Sequence, residues 1–272
     1  MGEVASQRVV SMPGDITVVL LGAGRVATHL APALVRAGVR LLQVWSRTET
    51  SARRVAEPLG VPYTNELDAV VPDADVYIAC VADGALPQVA EKVVSVAGKS
   101  SLYLHTAGSV GIELWQRCGA SRYGILYPLQ TFSKEREVDM HEVSLFVEAS
   151  DDESLERVEE LARMLSFKVF RADSERRARL HISAVFACNF ANAMYGIAHR
   201  LLAEEDIPFE VLLPLIDETS AKVHMLTPHE AQTGPAVRGD MAVIQSHLQA
   251  LAEDKELGGI YTLISNYINR HK

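Results

Sequence analysis

The residues best suited to chemistry begin with a short glycine motif. Gly22-Ala23-Gly24-Arg25-Val26-Ala27 follows the apolar run 16–21 and opens the helical segment 28–38. This strand–turn–helix setting is the one in which a G-x-G-x-x-A pattern receives the diphosphate of a dinucleotide. Gly22 permits the sharp turn, Gly24 lets the backbone approach a pyrophosphate with no Cβ in the way, and Ala27 is small enough for the helix to lie on the sheet. The free N–H groups of Ala23, Arg25 and Val26 and the positive end of the helix dipole then face the phosphates. An acidic residue after the second strand would hold the ribose 2′-hydroxyl of NAD, but the segment reads Trp45-Ser46-Arg47-Thr48. The two hydroxyls and the guanidinium of Ser46, Arg47 and Thr48, with Arg53 and Arg54 nearby, suit a 2′-phosphate, so the pattern predicts NADP(H). The competing reading is a ligand-free glycine turn beside an ordinary exposed cation.

Further polar residues fall after later strands, where an open parallel sheet binds its ligands. Ala82 and Asp83 would contact the cofactor, although Asp83 also reads as the N-cap of a helix beginning near Ala85. His105 ends an apolar strand near the expected nicotinamide position, and Tyr127 and Gln130 in Tyr127-Pro128-Leu129-Gln130-Thr131-Phe132 would wall a substrate pocket. A long helix from residue 174 carries His181, Cys188, Asn189 and Asn192. At about 100° per residue, Cys188 and Asn192 fall within about 20° of His181's direction, and Asn189 lies about 80° round. His181 is the expected general acid/base, with Asn189 orienting substrate and Asn192 lining the pocket. The alternative is that the histidine and asparagines are packing residues; Cys188 reads as a small core residue. Arg238, in the shaped run 233–240, could grip a carboxylate or phosphate, while Asp240 could cap the next helix. Thr227-Pro228-His229-Glu230 has capping-box spacing. His224, His229 and His247 form no ligand pattern, so no metal site is expected.

These residues need elements to hold them. Buried-strand runs at 16–21, 41–45, 75–81 and 101–105 alternate with helical segments at 28–38, 55–59 and 86–96, which implies a parallel sheet. Strands at 125–127, 143–147 and 167–170 and a helix at 154–165, capped by Ser154, complete that half. Beyond it only helical patterns remain, at 174–203, 208–225, 241–252 and 257–270. The expected class is α/β: a Rossmann-like domain over 16–172, then an all-helical substrate and dimerisation domain over 173–272.

A chain of 272 residues suits two domains, and 48% hydrophobic with 22% charged residues is ordinary globular composition. A net charge of -9, from 26 basic and 35 acidic residues, argues against nucleic acid or an anionic membrane as partner. No apolar run approaches the roughly 18 residues that cross a bilayer, and Cys80, Cys118 and Cys188 lie far apart, which together suggest the cytoplasm. Residues 1–15 read as a frayed tail whose first six residues formally match a myristoylation pattern, as short stretches often do by chance.

The glycine motif, His105-Thr106-Ala107-Gly108-Ser109, Tyr127-Pro128-Leu129-Gln130-Thr131-Phe132, His181 with Asn189, and Thr233-Gly234-Pro235-Ala236-Val237-Arg238-Gly239-Asp240 together resemble the family that joins a Rossmann-like domain to a C-terminal DUF2520 domain. That resemblance covers nearly the whole chain after Asp15. It implies an NADP-dependent oxidoreductase akin in architecture to pyrroline-5-carboxylate reductase, prephenate dehydrogenase and the 6-phosphogluconate dehydrogenase superfamily, and a homodimer formed through the helical half. The expected reaction is hydride transfer between NADP(H) and a small C=O or C=N substrate in an interdomain cleft. The alternatives are a non-catalytic NADP(H)-binding regulator or scaffold, and a deazaflavin coenzyme on the same phosphate turn. One departure matters: the Lys-x-x-x-Asn pair of β-hydroxyacid dehydrogenases is absent, since Val185 stands four residues after His181.

Overall fold

The structure, a computed structural model, describes residues 16–98 and 100–271. The 1–15 segment and its formal lipidation match lie outside the described residues. Contacts divide the chain into a first unit ending at Ala191 and a second over Asn192–Lys272.

The first unit is built on one eight-stranded sheet in the order β3-β2-β1-β4-β5-β6-β7-β8. Its strands are β1 Thr17–Leu21, β2 Arg40–Trp45, β3 Tyr63–Thr64, β4 Val76–Ala79, β5 Leu102–His105, β6 Arg122–Leu129, β7 Ser144–Ala149 and β8 Val169–Arg171. β1 shows why a continuous apolar run becomes a central strand. Val18 and Leu20 pack toward α1 (Arg25–Arg36) and α5 (Asp152–Leu165), while Val19 and Leu21 pack toward α3 (Leu86–Ala97) and Trp115 of α4 (Glu113–Arg117). The chain reverses from β1 to β2 on one side and to β4 on the other, so the glycine turn after β1 sits at the point where strand order switches.

The structure corrects several sequence expectations. The sheet is not wholly parallel: β6 and β7 pair antiparallel, because residues 130–143 supply only a 3-10 turn, Met140–Glu142, and no crossover helix. β3 carries only two residues and had no readable pattern. The second helix, α2, spans Glu49–Ala56 rather than 55–59, which is mostly a 3-10 turn. Asp151, not Ser154, caps α5; its carboxylate accepts from the Ser154 N–H at 2.8 Å, which pulls the cap three residues upstream. The helix from 174 is α6, Ser174–Ala184, followed by a π-helical segment, Val185–Phe190.

The second unit is helical: α7 Ala191–Ala203, α8 Leu213–Lys222, α9 Pro228–Ala231, α10 Pro235–Arg238, α11 Met241–Ala250 and α12 Lys255–Arg270. The 208–225 segment splits into a 3-10 turn, Phe209–Leu212, and α8, with Pro214 in the first turn of α8. Three of its helix starts carry side-chain caps, and those of α9 and α11 are the ones expected from the sequence. Thr227 and Glu230 form the capping box of α9, Asp240 caps α11 and Asp254 caps α12. Among its described residues only Ala236 and Leu257 are buried, while Leu215, Met225, Met241, Leu263 and Tyr267 are more than half exposed. No described helix is long and apolar enough to cross a membrane.

Candidate active site: a dinucleotide cleft and a histidine–tyrosine pair

At the carboxyl ends of β1, β2 and β4 lies a cleft of about 1050 Å³. Gly22, Ala23, Gly24, Ser46, Arg47, Thr48 and Ala82 line it; Arg25, Val26 and Asp83 do not. The two glycines hold their positions for different reasons. Gly22 sits at φ +122°, and a Cβ there would overlap the Cys80 carbonyl, so the fold itself demands glycine. Gly24 has an ordinary φ of -80°, and a Cβ there would meet only the Cys80 oxygen at 3.8 Å. Nothing in the chain requires glycine at 24, whereas a ligand approaching the backbone would. As the N-cap of α1, Gly24 offers no side-chain cap, and the first turn of the helix carries no acid, so its N–H groups stay available to an anion. On the far wall, Arg47 is exposed and forms no ion pair among the described residues; Arg53 is tied to Glu57 at 3.0 Å and is no part of the cleft. The donor set, the bare Gly24 cradle and the cleft's volume fit a phosphorylated dinucleotide.

Two carboxyl-end loops meet beside this cleft, those after β4 and β5. Asp83 caps no helix; Ala85 stands at the N-cap of α3, and the Asp83 carboxylate instead accepts from the Ser109 hydroxyl. That contact ties the loop after β4 to the loop after β5. Gly108 in the latter packs against a pair from other elements: Tyr127 of β6 and His181 of α6, whose Oη and Nδ1 lie 3.1 Å apart. Tyr127 is buried and His181 half-buried. Burial pushes the Tyr127 phenol up, with Arg177 opposing and Asp83 adding to the rise.

His105 does not join that pair. It is wholly buried, stacked on Trp115, and its Nδ1 accepts the Ala107 N–H at 3.2 Å. Burial first, then Arg177, lowers its pKa to about 4, so it is neutral and supports the 106–111 loop from below. Gln130 is exposed and folds onto its own loop, its Oε1 accepting from the Thr131 N–H at 2.7 Å; the loop is pinned to α1 by His29, 2.6 Å from the Ser133 carbonyl and stacked on Phe132. Asn189 is exposed in the π segment, Cys188 is exposed rather than a core residue, and Asn192 and Arg238 are exposed in the second unit. The π segment explains Cys188: its hydrogen bonds span five residues, so the α-helical 100° count fails through it. Taking about one residue's angle out of the count brings Asn189 to within about 20° of His181's direction and carries Cys188 away from it.

The same architecture recurs in known proteins. Residues 143–268 match the model of a domain of unknown function, DUF2520, and residues 3–102 match that of shikimate/quinate 5-dehydrogenase. A candidate NADP oxidoreductase from Bacteroides fragilis is 46% identical, with a TM-score of 0.91 over 95% of this chain and 100% of its own. The chain belongs to this DUF2520 oxidoreductase family. No curated protein matches it. More distant folds of the same kind include an imine reductase from Myxococcus stipitatus in complex with NADP+ (17% identity, TM-score 0.66, 93% of each chain). Another is a pyrroline-5-carboxylate reductase from Coxiella burnetii (15% identity, TM-score 0.57, 93% of this chain and 96% of that one).

In this DUF2520 protein the site residue that could not be assigned a role from sequence is Arg177. It is one helical turn before His181, 1% exposed, and bonded to Glu148, Ser174 and the Val110 carbonyl. A lone arginine among Arg176, Arg177 and Arg179 carries no signal of burial; only its i to i+4 spacing from His181 hinted at a shared face.

Proposed function

We propose that this NADP(H)-dependent oxidoreductase reduces a small C=N or C=O substrate, with His181 as the proton donor and Tyr127 as the group that holds it. When bound, the reduced coenzyme supplies the hydride. The observation that carries the reading is the Tyr127–His181 pair at 3.1 Å, set by Gly108 at the carboxyl ends of β5 and β6, one strand along from the dinucleotide cleft. With its Nδ1 engaged by the Tyr127 hydroxyl, His181 keeps Nε2 for the substrate heteroatom. Asn189, on the same side of the helix, orients that substrate. Ser46, Arg47 and Thr48 take the 2′-phosphate, and the uncapped start of α1 takes the diphosphate.

The protein works as a homodimer through its helical half. The support is that the second unit buries only Ala236 and Leu257 among its described residues, too little for a folded core without a partner. Three free thiols suit a reducing compartment such as the cytoplasm.

The test follows NADPH absorbance against a panel of imines, 2-oxo acids and 3-hydroxy acids. His181→Ala is expected to lose about 10²-fold or more in turnover with NADPH affinity nearly unchanged. Full turnover in that variant removes His181 from the chemistry. Tight NADPH binding with no turnover on any substrate supports a coenzyme-sensing role instead.

A further inference from the structure

Beneath His181 lies a buried charge cluster that proton transfer does not itself use. The Arg177 guanidinium donates through Nη1 to Glu148 of β7 and through Nη2 to the Val110 carbonyl at 2.6 Å and the Ser174 hydroxyl at 3.2 Å; Nε has no partner. Glu148 also accepts from the Ser174 hydroxyl, at 2.8 Å. A buried ion pair is weak evidence for stability, since apolar replacements are often neutral, so its three-way geometry calls for another account. Arg177 and His181 leave α6 on one side, and Val110 shares its loop with Gly108, the residue packed against His181 and Tyr127. One guanidinium thus fixes the strand, the helix and the loop whose relative positions set the Tyr127–His181 distance.

We infer that the Arg177–Glu148 pair is a positioning device for the proton-donating pair, clamping α6 and the 106–111 loop to β7 so that His181 and Tyr127 stay in register. This rests on the proposed role of that pair. The clamp also leaves an electrostatic signature. Tyr127 is faced by His181 and Arg177 from α6, Asp83 from the loop after β4 and Phe146 from β7, with Glu148 and His105 grouped around Arg177. Arg177 is the permanent cation of that set, and its charge favours the phenolate.

The experiment titrates Tyr127 by phenolate absorbance in the coenzyme-free protein, as the difference from a Tyr127→Phe protein, beside steady-state kinetics. Arg177→Met is expected to raise the Tyr127 midpoint by about one pH unit, and Glu148→Gln to lower it, because the guanidinium then goes less compensated. Arg177→Lys restores the midpoint but not kcat, since an ammonium cannot span three acceptors in a fork, while NADPH affinity stays near that of the parent. If Arg177→Met does not fold, the downward shift in Glu148→Gln carries the test. A Tyr127 midpoint unmoved in every folded variant, or Arg177→Lys with full kcat, overturns the inference. Full turnover in His181→Ala and Tyr127→Phe would instead overturn the proton-donor reading, and the titration would still report on the clamp.

Discussion

Gly22 and Gly24, separated by one residue, make different demands on the same turn. Gly22→Ala places a methyl against the Cys80 carbonyl at a positive φ, and should destabilise the fold by at least about 2 kcal/mol in urea unfolding. Gly24→Ala meets no such obstacle; it should change stability by about 1 kcal/mol at most, as a cap substitution does, yet weaken NADPH at least tenfold by calorimetry. Equal affinity in Gly24→Ala would leave the cradle without a ligand. His105 makes a separate statement about pH. Its folded pKa of about 4 lies below the ordinary 6.5, so the unfolded chain binds the extra proton between those values. The stability it contributes is complete above about pH 6.5 and is lost as pH falls toward 4, by up to about 3 kcal/mol. Unfolding free energies at pH 7 and pH 4.5 should therefore differ by less in His105→Asn than in the parent; an unchanged difference would place the acid sensitivity elsewhere.

At the scale of elements, the site is assembled by loops held at both ends rather than by any one helix. The loop after β5 is fixed by the Ala107 N–H on His105, by Ser109 on Asp83 and by the Val110 carbonyl on Arg177, and between those points Gly108 touches the histidine–tyrosine pair. A Cβ at 108 would come within 2.8 Å of His181 Nδ1 and 2.9 Å of Tyr127 Cζ. Gly108→Ala should consequently lower kcat by about tenfold or more through displacement of the pair, with the Kd for NADPH unchanged, because no residue of the loop after β5 lines the dinucleotide cleft. A loss of NADPH affinity without loss of kcat would contradict this placement. The π segment acts at the same scale: its altered hydrogen bonding changes the angular count along residues 185–190, so the side of the helix taken by Cys188 and Asn189 does not follow from α-helical spacing.

At the scale of the molecule, the described residues of the second unit bury only Ala236 and Leu257, so with the proposed dimer stability should depend on protein concentration. Sedimentation or light scattering across dilution is expected to show a dimer, with a melting temperature that falls as it dissociates; a monomer of unchanged melting temperature would refute it. The α/β class, the glycine turn, the lack of an acid after β2 and the capping box of α9 were all legible in the sequence. Each depends on local rules: strand burial, backbone freedom and caps three residues apart. What only the tertiary structure decided was which polar groups meet. Tyr127 and His181 are separated by 54 residues and Arg177 and Glu148 by 29, and no periodicity ties such distant positions together. The antiparallel turn of β7, the burial of His105 away from the cleft and the π turn belong to the same kind, because each is settled by competition among packed neighbours rather than by any residue's own preference.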